Sequence, residues 1–318
     1  MRLFRKKLPY TKRLTITPPK PSPDRDGIAI VASVKDEATY IADWLSFHRA
    51  VGVRHFYLYD DGSSDGTIEI ARAILDSTHL TVFPWRSRMV DTPTGNQLNA
   101  QAIAFAHAVL NFGSQYEWMA FIDVDEFMLP KSGSTLKEAL WGAGGFPNIS
   151  LPWHLFGTSG HKKRQPGSIL INYTFRSADP MNRKKNSSNF KCIVDPCQVS
   201  EVSIHHFSTE KYGEMTSNDK GDIFSRKERK NKEFYSSEHI QLNHYYSKSE
   251  EELQEKLARG PASPASMKRY YDRVTSAMET IESDCIEDRA MVEFVEKNGI
   301  FLETQFNGVR NLHRADGL

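Results

Sequence analysis

The chain has no apolar run approaching the roughly 18 residues that a membrane-spanning helix needs, so no stretch reads as a transmembrane segment. Met1 to Lys20 carries basic residues but no apolar core of the kind a secretory leader requires. Cysteine is scarce: Cys192, Cys197 and Cys285 form an odd set with no second Cys/His pair at zinc-finger spacing. Such a set suits a reducing compartment better than a disulfide framework, and a cytoplasmic setting is the expectation. Neither sign of charge dominates, since 41 Lys and Arg stand against 40 Asp and Glu, which argues against a general nucleic-acid-binding surface. No glycine-rich phosphate loop of the GxGxxG or GxxxxGK[ST] kind occurs either. If this chain binds a nucleotide, carboxylates and a metal must hold its phosphates.

What is present is 318 residues, 39% hydrophobic and 25% charged, enough for one large domain or two small ones with a substantial core. The most informative stretch is Phe121-Ile122-Asp123-Val124-Asp125-Glu126-Phe127. Here an apolar run rich in strand-favouring residues ends abruptly in three carboxylates. A strand buried on both faces cannot hold those charges inside it, so they belong at its carboxyl end, where open α/β sheets bind ligands. Asp123 and Asp125 project to the same side in extended geometry. Carboxylates so close repel each other unless a cation lies between them. Oxygen ligands suit magnesium or manganese, which also bind substrate phosphates. A solvated acidic turn would produce the same triplet, so the weight comes from the chain around it.

Residues 1–26 carry seven basic side chains before the first acid, with Pro18, Pro19, Pro21 and Pro23 close by. The segment is expected to be a flexible arm that could touch anionic lipid, a peripheral membrane contact. Order should begin at Gly27. Ile28 to Val34 has the pattern of a buried strand, Ile41, Trp44, Leu45 and His48 recur at helical spacing, and Val53 to Tyr59 is a second strand. Strand, helix, strand at this spacing is a parallel, right-handed unit. The turn Asp60-Asp61-Gly62-Ser63-Ser64-Asp65-Gly66-Thr67 follows, and acids at the tip of a second strand can accept hydrogen bonds from ribose hydroxyls. A helix from about Ile68 to Leu75, a strand over Leu80 to Phe83 and a helix from Asn96 to Asn111 lead to the acidic stretch. Later, Trp153, His154 and Phe156 read as part of a loop with little periodicity, and Glu250 to Arg259, Tyr270 to Met278 and Glu287 to Glu296 as helices.

With these motifs in hand, residues 27–130 resemble the GT-A glycosyltransferases, most closely the family-92-like branch of the family-2 superfamily. Val34-Lys35-Asp36-Glu37-x-x-Tyr40-Ile41-x-x-Trp44-Leu45-x-x-His48 is similar to that branch's signature, with Asp36 where Asn is usual. Gly52-Val53-x-His55-Phe56-Tyr57-Leu58-Tyr59-Asp60 matches as well, and patchier likeness continues through Lys191-x-Ile193-Val194 and Asn243-His244-Tyr245-Tyr246-x-Lys248-Ser249. The resemblance implies an α/β fold, a Rossmann-like, mostly parallel sheet flanked by helices with C-terminal helical additions. It implies a division into a nucleotide-sugar-binding half (27–130), an acceptor-side half (131–260) and a helical segment (261–318). It further implies an inverting, hexosyltransferase-class transfer from a nucleotide-diphosphate sugar, UDP-linked by analogy, to a glycan or lipid-linked acceptor in polysaccharide synthesis, with Mn2+ or Mg2+ as cofactor.

On that resemblance Glu37, Asp60, Asp61, Asp123 and Asp125 bind the donor, and Asp123, Asp125 and His244 hold the metal. The cation would stabilise the charge that grows on the departing diphosphate. Inversion also needs a general base, for which Glu126, Glu201 and Asp195 are candidates that spacing does not separate. Two other readings stay open: a phosphatase of the haloacid-dehalogenase kind, in which the first acid is the nucleophile, and a non-catalytic nucleotide- or carbohydrate-binding protein of the same fold.

Overall fold

Ile28–Val34 (β1) is buried along its whole length apart from Ser33, and its alternate side chains serve two separate cores. Ile28, Ile30, Ala32 and Val34 face Ile41–Ala50 (α1), which contributes Trp44, Leu45 and Phe47. Ala29 and Val31 face the other way, towards Ala100–Phe112 (α3) with its Phe105, Ala108 and Val109. That arrangement is the reason the strand reads as continuously apolar: both faces of the sheet are covered. The molecule is a computed structural model, describing residues 10–86, 89–182, 189–259 and 267–302.

Val53–Asp60 (β2) and Leu80–Pro84 (β3) add to one side of β1, with Thr67–Ile74 (α2) between them, and Trp118–Phe121 (β4) adds to the other. All of these pairings are parallel. Beyond β4 the sheet changes character. Phe190–Val194 (β7) runs antiparallel to β4, and Asn148–Phe156 (β6) runs antiparallel to β7. The architecture is therefore α/β with a mixed, curled sheet whose parallel order is concentrated in the N-terminal half.

β6 is the hinge of the architecture. Its first half, Asn148 to Pro152, pairs with β7, and its second half, Trp153 to Phe156, pairs in parallel with Ile240–Tyr245 (β8). β8 in turn pairs antiparallel with Glu126–Pro130 (β5). So β4 and β5, only four residues apart in sequence, enter different branches of the sheet, and the link Ile122-Asp123-Val124-Asp125 lies in the fork. The loop expected around Trp153 is thus a nine-residue strand. It has no alternation for the same reason as β1, being buried on both faces except at Trp153.

The expected flexible arm is different over residues 10–26. Leu14–Thr15 pairs with Val199–Val202, Tyr10–Thr11 pairs with Asn96–Leu98, and Leu14 and Ile16 pack on the second core. Charge and proline dominate the composition of that segment, but two apolar side chains suffice to lay it along the body. The cluster Arg2, Arg5, Lys6 and Lys7 lies outside the described residues. The helix expected from Asn96 starts instead at Ala100, because Asn99 caps it, accepting from the Ala102 N–H at 2.9 Å. Leu136–Gly142 (α4) follows β5, and at the C-terminal side Glu250–Arg259 (α5), Met267–Ser283 (α6) and Ala290–Lys297 (α7) are helical, with α7 docking Met291 and Val295 into the first core. Among the described residues no helix is long and apolar enough to cross a membrane.

Candidate active site at the fork of the sheet

The parallel strands all emerge at one edge, which brings three acidic segments together there: Asp36 and Glu37 after β1, Asp60 and Asp61 at the end of β2, and Asp123 and Asp125 after β4. The first two segments are laced to each other. Asp36 Oδ1 accepts from the Ser64 N–H at 2.8 Å, Asp65 Oδ2 accepts from the Ala38 N–H at 2.9 Å, and the Glu37 N–H donates to Thr67 Oγ1 at 2.7 Å. Asp36 adopts a left-handed backbone, φ 53°, to make this turn. Asp60 accepts from both the N–H and the hydroxyl of Ser63, so it braces the turn from within. Asp61 is exposed, 3.5 Å from Lys35.

The D-x-D segment is held from below by α1. The Trp44 indole donates to the Glu126 carbonyl at 2.8 Å. Four residues on, His48 Nε2 accepts from the Met128 N–H at 3.2 Å while its Nδ1–H donates to the Trp44 carbonyl. The two most distinctive motif residues of α1 thus act on the backbone just after the acids, and not on a ligand. Burial pushes the His48 pKa down to about 3, consistent with this neutral tautomer.

Above that base the acids take different partners. Asp123 accepts from Lys191 Nζ at 2.7 Å and from Gln101 Nε2 at 3.0 Å. Glu126 is fully enclosed and turns back towards the loop, accepting from the Asp123 N–H at 2.8 Å and lying 3.5 Å from Lys191 Nζ. Asp125 faces His244, whose Nε2 is 3.4 Å from Asp125 Oδ2, and His244 Nδ1 is 3.9 Å from Glu126 Oε1. Asp125, Glu126 and His244 offer ligand atoms all within 4.8 Å of one another. Glu126 Oε1 and His244 Nδ1 are buried without a hydrogen bond. Two orphaned atoms facing each other beside the Asp125 carboxylate are what a cation would satisfy, so this donor set fits a divalent ion.

Electrostatics at the fork are strongly coupled. Burial pushes the Asp125 carboxyl upward, but His244, Lys256 and Lys248 outweigh it and hold it well below the usual carboxylate range. Burial pushes Glu126 well above that range, with Lys191 only partly offsetting it. Burial also opposes the Lys191 charge, yet Asp123 and Glu126 keep the ammonium more tightly protonated than usual. Lys256 lies 3.8 Å from Asp125 Oδ2, donates to the Tyr246 carbonyl at 2.8 Å and sits over the Tyr246 ring. Lys248, with a left-handed backbone at φ 56°, sits over the Tyr40 ring. Trp153 completes one wall, its ring 4.4 Å from that of His244 and its indole N–H buried without a hydrogen bond.

Of the residues singled out from sequence, Asp125 and His244 meet, together with Glu126. Asp123 stands beside them but is engaged by Lys191 and Gln101, so the ligand atoms that converge among the described residues are those of Asp125, Glu126 and His244. Asp195 lies elsewhere: β7 is antiparallel to β4, so its carboxyl end returns to the beginning of β4, where Asp195 binds Arg25 at 2.7 and 3.2 Å. Glu201 belongs to the small sheet with Leu14–Thr15, near Arg13 and His206. Neither is positioned at the acidic fork. Lys191, Lys256 and Gln101 were not identified as site residues from sequence. Lys191 alone carried a signal, as a lone charge inside an apolar strand, Phe190-Lys191-Cys192-Ile193-Val194.

The family profile described as glycosyltransferase family 92 matches residues 28–280, well over half of the chain. The chain belongs to glycosyltransferase family 92. Similar curated members include a family 92 protein of Oryza sativa subsp. japonica, 28% identical over 190 residues that cover 57% of this chain and 29% of the relative. One from Ricinus communis is 27% identical over 206 residues, 61% of this chain and 34% of the relative. One from Arabidopsis thaliana is 24% identical over 203 residues, 58% and 32%. The matched part thus spans about a third of the length of these relatives. Among solved structures, a mycobacterial protein aligns with 42% of the chain and 43% of its own at 17% identity and a TM-score of 0.28, too slight a likeness to inform the fold. Within the family 92 region lie every acid of the fork, Lys191 and His244.

Proposed function

We propose that this family 92 chain transfers a sugar from a nucleoside-diphosphate donor, UDP-linked in the reading we favour, to a hydroxyl of a glycan or lipid-linked acceptor, on a GT-A-like framework. The observation that carries the reading is the convergence of Asp125, Glu126 and His244, with two orphaned buried ligand atoms, at the carboxyl edge of the parallel strands. A magnesium or manganese ion held by those three residues would neutralise charge on the departing diphosphate. Lys256 and Lys248 approach the same carboxylate and add positive charge where an anionic leaving group would lie. Asp123, fixed in direction by Lys191 and Gln101 but still partly exposed, is oriented to accept from donor hydroxyls. Glu37, which acts electrostatically on Lys256, and the braced Asp60 and Asp61 line the same edge on the nucleoside side.

Of the three carboxylates considered for proton abstraction, Glu126 alone stands at this edge. Its complete enclosure suits a ligand better than a base that must meet an acceptor hydroxyl. The test is a thermal-shift screen of nucleoside diphosphates and their sugars, with and without manganese, followed by turnover of the best donor. Metal-dependent stabilisation by one diphosphate, together with release of that diphosphate when an acceptor is added, supports transfer. Phosphate release from simple esters, or binding with no turnover on any acceptor, would contradict it.

A further inference from the structure

A second gathering of carboxylates around an imidazole lies in the three-stranded sheet built from Leu14–Thr15, Val199–Val202 and Phe207–Thr209. Glu201 stands on the middle strand, His206 in the turn to the next, and Glu214 just before Met215–Ser217. Their ligand atoms all lie within 4.8 Å of one another. His206 is 93% buried by its 7% exposure, and its Nε2 points at Glu201 Oε1 across 3.7 Å. Both of those atoms are buried, and neither makes a hydrogen bond. A buried imidazole nitrogen aimed at a carboxylate without a proton shared between them is a costly arrangement for a purely structural contact.

Two arginines, Arg13 and Arg226, also reach these carboxylates. Arg13 Nε lies 3.4 Å from Glu201 Oε1, and Arg13 Nη2 lies 2.5 Å from Glu214 Oε1. Arg226 reaches Glu214 Oε1 at 2.9 Å from the other side. Arg13 directly precedes Leu14–Thr15, the short strand that pairs with Glu201 and Val202. Its side chain is 42% exposed, so it can swing into water without a large desolvation cost.

We propose that Glu201, His206 and Glu214 form a second divalent-metal site, of the zinc class, for which the guanidinium of Arg13 is the competing occupant. One imidazole nitrogen and two carboxylate oxygens form a mixed donor set that zinc accepts readily. A tetrahedral zinc ion with ligands at about 2.0–2.1 Å holds its ligand atoms about 3.4 Å apart. The His206–Glu201 pair is nearly at that spacing already, and Glu214, whose side chain is half exposed, can shift towards it with little packing to oppose the move. Because ion and guanidinium claim the same oxygens, each weakens the other by the same factor. Metal binding here therefore loosens the attachment of the N-terminal strand, and removing Arg13 tightens metal binding. The site is separate from the Asp125 cluster and does not depend on the proposed transfer.

The experiment is titration of the full chain with zinc chloride, followed calorimetrically, in a His244→Ala background that removes the imidazole of the first cluster. Expected is zinc uptake that weakens about tenfold or more in His206→Ala and in Glu214→Gln, and tightens severalfold in Arg13→Ala. Glu214 is exposed, so its variant keeps the test valid should His206→Ala fail to fold. Identical zinc affinity with and without Glu214 and His206, or no gain in Arg13→Ala, overturns the proposal.

Discussion

Lys191 Nζ, enclosed on all sides, lies 2.7 Å from Asp123 Oδ2 and 3.5 Å from Glu126 Oε2. The first acid of the D-x-D is thereby neutralised by the protein itself, while the second is left to His244 and Lys256. Removing Lys191 strands the enclosed Glu126 together with Asp123, whose partial exposure brings the cost below that of a fully buried pair, to about 2–3 kcal/mol. Lys191→Met should therefore lower stability by roughly that amount, measured as a shift of the urea midpoint at unchanged slope. Adding Asp123→Asn should recover part of the loss. A Lys191→Met protein as stable as the wild type would show that the pair contributes nothing.

A second expectation concerns His48. Its folded pKa of about 3 lies below the ordinary value of 6.5, so between those values the unfolded chain binds the extra proton. The stability contributed by its neutral, doubly hydrogen-bonded form is complete above about pH 6.5 and is lost as pH falls towards 3. Replacing His48 by Gln should flatten the pH dependence of unfolding free energy in that window by up to about 1.4 kcal/mol per pH unit. Parallel curves for the two proteins from pH 6.5 down would contradict the assignment.

The contrast between Trp44 or His48 and Lys191 marks how far the sequence alone specifies the site. The parallel core was legible because β1 to β4 are local, strongly apolar segments separated by helices with clear periodicity. The acids at its edge follow from the same logic, since charge cannot stay inside such strands. Partners across the fork were not legible. Lys191 reaches Asp123 because β7 runs antiparallel to β4, and Glu126 turns inward because β5 joins a different branch of the sheet. Both depend on long-range pairing through β6, whose doubly buried pattern carries no alternation. Trp44 and His48 were noticed as motif residues, yet their work on the backbone of β5 depends on a tertiary contact that spacing does not reveal.

A third expectation lies at the C-terminal attachment. Arg176 Nε donates to Asp288 Oδ2 at 2.6 Å, and Gln241 Nε2 reaches the same oxygen at 3.0 Å. Burial opposes the Asp288 charge, but Arg176 and the Ala290 N–H outweigh it and hold the carboxyl below its usual range. Its stabilisation is accordingly present above the unfolded carboxylate pKa of about 3.9 and lost as pH falls through the lower folded value. Asp288→Ala should cost about 3 kcal/mol at neutral pH. Native-state hydrogen exchange should show the loss as faster opening of α7. Unchanged protection in α7 would mean that the ion pair does not anchor it.

The central claim is that Asp125, Glu126 and His244 hold a divalent ion through which a nucleoside diphosphate is gripped. Calorimetric titration of UDP into the protein, with and without manganese, tests it most directly in wild type, Asp125→Asn and His244→Ala. The account predicts manganese-dependent binding in the wild type and affinity reduced about tenfold or more in each variant, with little dependence on manganese remaining. Equal, metal-independent UDP affinity in all three proteins would contradict it.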